Sequence, residues 1–212
     1  MEKTSISIGQ LHDTDKYVPI DVVNYNDLLP FLIKYIKPHS IVMKLFFLIN
    51  ILFLVIIGLM VVNNFMCHYI SILSLVNYFG LAGFITILSI PVHELLHGLA
   101  FKMLGAGKLT FGANLRQFMF YVTSHQFVMN KKQFYFLALT PFVVVSSICI
   151  YFLLHPSFSV RWVSANVLFA HATCCIGDFG LMSYFQIRCR HRKGFTYDDV
   201  PSMTSFFFHE KE

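Results

Sequence analysis

Two histidines four residues apart, His93 and His97, constrain more than any other feature what this chain can fold into. On an α-helix this spacing places both imidazoles on one face, about 40° apart and one turn above the other. Two side chains held in this way by a rigid backbone can bind one tetrahedral zinc ion. Glu94 lies beside them, where it can take a proton from a water activated by the metal. The stretch Ser89–Gly98 therefore predicts a helix that carries an HExxH zinc motif.

The composition predicts that this helix lies in a membrane. Of the 212 residues, 56% are hydrophobic and only 13% are charged, and the mean hydropathy is +0.63. Soluble domains usually contain about 25% charged residues. A chain this poor in charge is suited to contact with lipid, and its apolar residues form runs long enough to cross a bilayer.

Four apolar runs predict four transmembrane helices. The second run is unusually long, and Pro91 within it is expected to interrupt helical hydrogen bonding just before His93. Residues 108–133 are rich in aromatic and β-branched side chains and predict one or two strands. The expected fold is an all-α integral membrane protein, with four transmembrane helices and a short β-rich cytoplasmic insertion between helices 2 and 3. The runs are Ile41–Val62, Ile70–Leu104, Phe134–Leu154 and Val160–Ile187.

The positions of the basic residues predict the orientation. They lie before the first run, between the second and third, and after the fourth, whereas the other two connections hold only Arg161. By the positive-inside rule, both termini and the long middle loop face the cytoplasm of a multi-pass protein of the cell membrane. This topology explains the net charge of +5 better than binding to nucleic acid does. The basic residues are Lys34, Lys37, Lys44, Lys102, Lys108, Arg116, Lys131, Lys132, Arg188, Arg190, Arg192 and Lys193.

The same pattern divides the chain into three parts. Residues 1–40 form a cytoplasmic N-terminal segment, in which the amphipathic run Asp27–Lys37 is expected to lie at the membrane surface. Residues 41–187 form a four-helix membrane domain, and residues 188–212 form a basic cytoplasmic tail.

The distribution of acidic residues predicts the third metal ligand. Between Asp27 and Asp198 the chain contains only two acids, Glu94 and Asp178, and both fall inside predicted spans. An uncompensated charge there costs at least ~2.5–3.5 kcal/mol, so these acids are expected to have a function. His97 and Asp178 both lie roughly 10–14 Å in from the cytoplasmic ends of their spans at ~1.5 Å per residue. Two imidazoles and one carboxylate would leave the fourth zinc position open, as catalytic sites do.

His171 lies seven residues before Asp178 in the fourth predicted span, so it is expected to share the helical face of Asp178 within ~20°. There it can bind a substrate carbonyl, hydrogen-bond a developing oxyanion, or orient Asp178. The alternative is a structural histidine bonded to a backbone carbonyl of a neighbouring helix. His125, in the middle loop, can approach the site, but a solvated loop residue is the simpler interpretation.

Four segments together resemble a known family. The stretch Pro91–Gly98 (PVHELLHG) in one span and Gly177-Asp178 in a later one are similar to the putative zincin peptidases, a bacterial membrane family. Looser similarities lie at Leu139–Phe142 and in the tail at Lys193–Pro201. The family is related in plan to the site-2-protease group of intramembrane metallopeptidases.

This resemblance implies zinc at His93, His97 and Asp178, with Glu94 as the general base. The site-2-protease group carries an Asn and prolines ahead of an Asp-Gly sequence, whereas here His171 precedes a Gly-Asp-Phe sequence. The oxyanion-stabilising role of that Asn is therefore unassigned in this chain, and His171 is the candidate for it.

The leading hypothesis is a four-span membrane zinc metallopeptidase acting on a peptide or membrane-protein substrate, with lipid as its surroundings and no nucleic-acid partner. Residues 108–128 can offer a strand edge that holds an extended substrate. One alternative is a non-catalytic membrane protein with a structural metal or polar cluster, which binds other membrane proteins. A second is a transporter with an intramembrane ion site, although two acids, four spans and no inverted repeat do not favour it.

Overall fold

The computed structural model describes residues 6–114 and 119–211. Arg116, one of the basic residues used to predict the orientation, lies outside the described residues. Within them, three helices are long and apolar enough to cross a membrane, or four spans are present if a bent helix pair counts as one. These helices are consistent with a multi-pass membrane protein. The three long helices are α3 (Ile41–Cys67), α4 (Ile72–Met103) and α5 (Lys131–Leu153).

The bent pair replaces the continuous fourth helix that the sequence predicts. Helix α6 (Phe158–Cys174) and helix α7 (Ile176–Arg188) meet at Cys175 with an angle of 44°. The expectation of one unbroken helix over residues 160–187 was therefore wrong. The break could not be foreseen, because no proline marks it in the sequence. Since the bend lies between His171 and Asp178, these two side chains do not share the face of a single helix.

Helix α4 continues through Pro91 and ends where the sequence predicts. The expected interruption before His93 does not divide the helix, which runs unbroken from Ile72 to Met103. At its end, Gly105 adopts a φ of 94°, a left-handed conformation that glycine adopts without a Cβ clash. The backbone N–H of Ala106 then bonds the carbonyl of Phe101 at 3.0 Å, which closes a Schellman motif. This turn directs the chain from the helix that carries the HExxH motif into the following strands.

A four-stranded antiparallel sheet joins the two ends of the chain to the middle loop. Its order is β1-β6-β5-β4, and β1 pairs with β6 from Tyr17↔Glu210 to Asn24↔Thr204. The fold is therefore mostly α-helical rather than all-α. These strands were not predicted from the sequence, because they are short and depend on pairing between distant segments. They are β1 (Tyr17–Asn24), β4 (Met129–Asn130), β5 (Gly194–Asp199) and β6 (Thr204–Glu210).

A separate hairpin lies in the middle loop, where the sequence predicts one or two strands. Strand β2 (Thr110–Asn114) pairs antiparallel with β3 (Met119–Thr123), with Gly112 opposite Tyr121. A Cβ on Gly112 would overlap the Tyr121 ring, so glycine permits this close approach. The prediction of strands in this segment is confirmed.

The sheet packs on the helices through aromatic rings. On its helix-facing side, Phe207 contacts Tyr184 and Phe185 of α7, with ring centroids 4.8 and 5.7 Å apart. On the opposite side, Phe208 packs with Tyr197 and the short helix α1 (Ile8–Leu11). Alternate residues of β6 thus bury rings on both faces, as a strand with period 2 requires. Helix α2 (Leu28–Ile33) packs against α7 and completes the helix-facing layer.

Candidate metal centre

The two histidines of the HExxH motif face each other on α4. Nε2 of His97 lies 3.0 Å from Nε2 of His93, and the two rings meet edge to face at 79°. Two imidazole nitrogens at this distance need a shared proton or a shared cation between them, because two lone pairs alone repel. The helix therefore presents two nitrogen ligands at one point, as the four-residue spacing predicts.

Asp178 of α7 completes a triangle with these nitrogens. Its Oδ2 lies 3.3 Å from Nε2 of His93 and its Oδ1 lies 3.4 Å from Nε2 of His97. Two ligands bound at about 2.1 Å in tetrahedral geometry lie roughly 3.4 Å apart. The three side chains thus have the donor types and the spacing of a zinc site, and they leave one position open. His97 and Asp178 thus meet, as their predicted positions along the two spans allow.

The backbone of α5 fixes the ring of His97. Nδ1 of His97 donates to the carbonyl oxygen of Leu137 at 3.0 Å. Because a carbonyl can only accept, the hydrogen of the neutral ring is on Nδ1 and the lone pair is on Nε2. His97 is buried, and its Nε2 is directed at the metal position.

His171 contacts His93 from α6. Nε2 of His171 lies 3.2 Å from Nδ1 of His93, and Nδ1 of His171 lies 3.9 Å from Sγ of Cys175. His93 therefore belongs to two possible ligand groups, one with His97 and Asp178 and one with His171 and Cys175. The first group is favoured because Leu137 already orients the Nε2 lone pair of His97. His171 then accepts a hydrogen bond from Nδ1 of His93 and holds that ring in place.

Glu94 lies beside the triangle and faces the same space. It is partly buried, and its carboxylate interacts with the backbone N–H of Val122 on strand β3. The hairpin therefore packs against the HExxH motif of α4 at Glu94, the expected general base. This contact places an edge of β3 next to the candidate general base, Glu94.

Comparison with known families identifies the family of the chain. Residues 86–192 match the model of the family described as "Putative zincin peptidase", which is half of the chain. The chain belongs to this zincin family. The matched segment contains the HExxH motif, His171 and Asp178, so it covers every residue of the metal centre. No curated protein and no solved structure matches the chain.

The candidate metal centre opens into a cavity of about 420 Å³. The cavity lies where the membrane helices meet the sheet and the hairpin. Its helical end is formed by His93, Glu94, His97, His171 and Asp178. All five site residues named from the sequence are thus brought together. His125 is not among the residues that line the cavity, and its Nδ1 lies 3.4 Å from Oδ1 of Asp199.

A second end of the cavity, next to strand β3, carries polar residues that were not predicted from the sequence. Asp198 of β5 accepts hydrogen bonds from Ser205 Oγ at 2.6 Å and from Thr123 Oγ1. Burial raises the pKa of the Asp198 carboxyl above its usual range, and the two hydroxyl donors partly offset this. Tyr25 lies in the same wall, and burial also raises the pKa of its phenol. A usable signal was the alternation of aromatic residues in Gly194–Asp199, which predicts a strand ending in acids.

Proposed function

We propose that this zincin is a membrane-embedded zinc metallopeptidase that hydrolyses peptide bonds. The observation that carries the proposal is the convergence of three ligand atoms, separated by 3.0–3.4 Å, on one wall of a cavity that also holds Glu94. A structural metal site is closed by four protein ligands, whereas this triangle leaves one position facing open space. His93, His97 and Asp178 would hold the zinc.

The chain's own residues supply the proton chemistry and the orientation. Zinc bound here would polarise the scissile carbonyl and lower the pKa of the attacking water. Glu94 takes the proton from that water and passes it to the leaving amine. Leu137 and His171 keep the rings of His97 and His93 in their liganding orientation. In this assignment His171 is a positioning residue rather than the donor to the oxyanion.

Strand pairing supports four crossings of the bilayer. Strand β1 precedes every membrane helix and β6 follows all of them, yet the two pair directly. Both strands therefore lie on one side of the membrane, which requires an even number of crossings. Strand β4, at the start of α5, pairs with β5 after α7. If α5 crosses the bilayer, the bent pair α6–α7 must return as a single span.

The basic residues support placing that shared side in the cytoplasm. The sheet, the hairpin and both described ends of the chain would then be cytoplasmic. The metal centre would lie in the membrane close to the cytoplasmic face, in a multi-pass protein of the cell membrane.

Strand β3 offers a binding edge for an extended peptide. Among the described strands it pairs only with β2. Phe120, Tyr121, Val122 and Thr123 line the cavity, and Val122 contacts Glu94. A peptide or an unwound segment of a membrane protein that adds to this edge would bring its backbone past the metal centre.

The test compares wild type with Glu94→Gln, each purified in detergent and loaded with zinc. We expect the variant to keep its zinc, because Glu94 is not a ligand, and to lose peptidase activity by about 10²- to 10⁴-fold. Glu210→Gln is a matched control, since Glu210 pairs with Lys193 on the sheet, away from the cavity. Wild type that binds zinc and cleaves no peptide from a mixed library would instead favour a structural metal site in a partner-binding protein.

A further inference from the structure

The cavity has a second polar end, centred on Asp198, that the metal centre does not use. The two oxygens of Asp198 accept one hydroxyl hydrogen bond each, from Ser205 and Thr123. A carboxylate has roughly four lone-pair sites, so part of its capacity remains open to the cavity. Among residues 6–114 and 119–211, no lysine, arginine or histidine side chain forms an ion pair with it. The carboxylate therefore lacks a cationic partner in the described structure.

Tyr25 is an independent sign that this end receives a ligand. Its side chain is 5% exposed, it lines the cavity, and its hydroxyl lies near the side chain of Thr123 but forms no hydrogen bond of normal geometry in the described structure. A buried hydroxyl without a partner costs free energy, so an unfilled donor here indicates a group that arrives from outside. Tyr25 is close enough to Asp198 for their charges to interact, and its ring packs edge to face on Tyr121 at 5.0 Å, so both rings line the same part of the cavity.

The Asp198 end lies within a short reach of Glu94. Val122, whose N–H interacts with Glu94, and Thr123, whose hydroxyl bonds Asp198, are consecutive residues of β3. One residue of a strand advances the chain by about 3.4 Å. A peptide lying along β3 with its scissile bond at Glu94 would place a neighbouring residue at Asp198.

We propose that Asp198 and Tyr25 form a specificity subsite for a cationic group of the substrate, an ammonium or a guanidinium. The group would pair with the Asp198 carboxylate, hydrogen-bond the Tyr25 hydroxyl and lie against the rings of Tyr25 and Tyr121. Its source is a lysine or arginine side chain next to the cleaved bond, or a free peptide N-terminus. This inference rests on the proposed function, because it assigns the substrate class of the same cavity.

The test measures binding, so it needs no turnover. Zinc-loaded Glu94→Gln protein is titrated with acetylated, amidated pentaalanine peptides in which one position at a time is arginine or its neutral isostere citrulline. We expect the arginine peptide to bind about 10- to 100-fold more tightly at one position. Pentaalanine amide with a free N-terminus, compared with its acetylated form, reveals whether the α-amino group is the preferred cation.

Two further substitutions in this background assign any preference to the subsite. Asp198→Asn should abolish it, and Tyr25→Phe should reduce it by about three- to tenfold with little loss of stability, because the hydroxyl forms no hydrogen bond of normal geometry in the described structure. If Asp198→Asn fails to fold, the binding preference of the Tyr25→Phe variant alone tests the proposal. The absence of any cation preference, or a full preference in Asp198→Asn or Tyr25→Phe, overturns the proposal. An intact preference in a protein that cleaves nothing would refute the peptidase function alone.

Discussion

Nδ1 of His93 lies 3.2 Å from Nε2 of His171, so a histidine of α6 fixes the ring of the first histidine of the HExxH motif. His171 is almost fully buried and lies before the bend at Cys175, while Asp178 lies after it. His171 and Asp178 both contact the imidazole ring of His93. The orientation of His93 therefore depends on how α6 and α7 pack against α4.

This relationship predicts the effect of His171→Ala. With its hydrogen-bond acceptor removed, His93 loses its fixed orientation, and zinc affinity should fall by about 10- to 100-fold. At saturating zinc, kcat should remain close to that of wild type. A competition assay with a chelating dye gives the affinity, and His125→Ala, outside the cavity, is the control. A kcat lowered by about 10²- to 10³-fold at saturating zinc would instead assign His171 to the oxyanion.

Removing a proposed ligand should have a larger effect. His93→Ala and Asp178→Ala should each lower zinc affinity by more than about 100-fold, beyond the usual effect of a neighbouring hydrogen-bond partner. Wild type should carry about one zinc per chain, the content of a single tetrahedral site. Elemental analysis of the purified proteins measures this. Zinc retained in Asp178→Ala would show that the triangle described here is not the metal site.

Gly112→Ala should disturb the hairpin beside Glu94. The added Cβ would meet the ring of Tyr121, which packs on Tyr25. Overpacking of this kind costs about 1–3 kcal/mol, so thermal stability and peptidase activity should both fall. Gly107→Ala is the matched control from the same connection, since a Cβ there has no neighbour within 4 Å. Equal behaviour of the two variants would mean that the Tyr121 ring moves freely.

The pKa of Asp198 predicts a pH dependence of stability. Burial raises this pKa in the folded protein above the unfolded value of about 3.9. The folded state therefore holds its proton more tightly, and the contribution of Asp198 to stability declines as pH rises from about 4 through the folded pKa. Asp198→Asn lacks this titration, so wild type should lose stability relative to the variant over that range. Melting temperatures of both proteins across the pH series measure the difference, and a constant difference would contradict the raised pKa.

The candidate metal centre could be proposed from the sequence because its residues lie close together in the chain or are found by elimination. His93, Glu94 and His97 share one helical turn, and Asp178 was the only other acid within the apolar runs. The structure brings all four to one wall of the cavity.

The part of the cavity formed by Asp198 and Tyr25 could not be predicted in the same way. Asp198 and Tyr25 stand on segments without long periodic patterns, and they reach the cavity only through the pairing of β1, β6 and β5. Such non-local pairing leaves little trace in a single stretch of sequence. The bend at Cys175 was not predicted, because no proline marks it in the sequence.

The sheet also has a consequence for the order of assembly. Asp198 on β5 and Ser205 on β6 are synthesised after all of the membrane helices, and β6 pairs with β1, which is made before any of them. During biosynthesis the HExxH helix and Asp178 can therefore meet before this wall of the cavity exists. A peptidase built in this way would acquire the Asp198 wall of its cavity only after its last membrane helix has been synthesised.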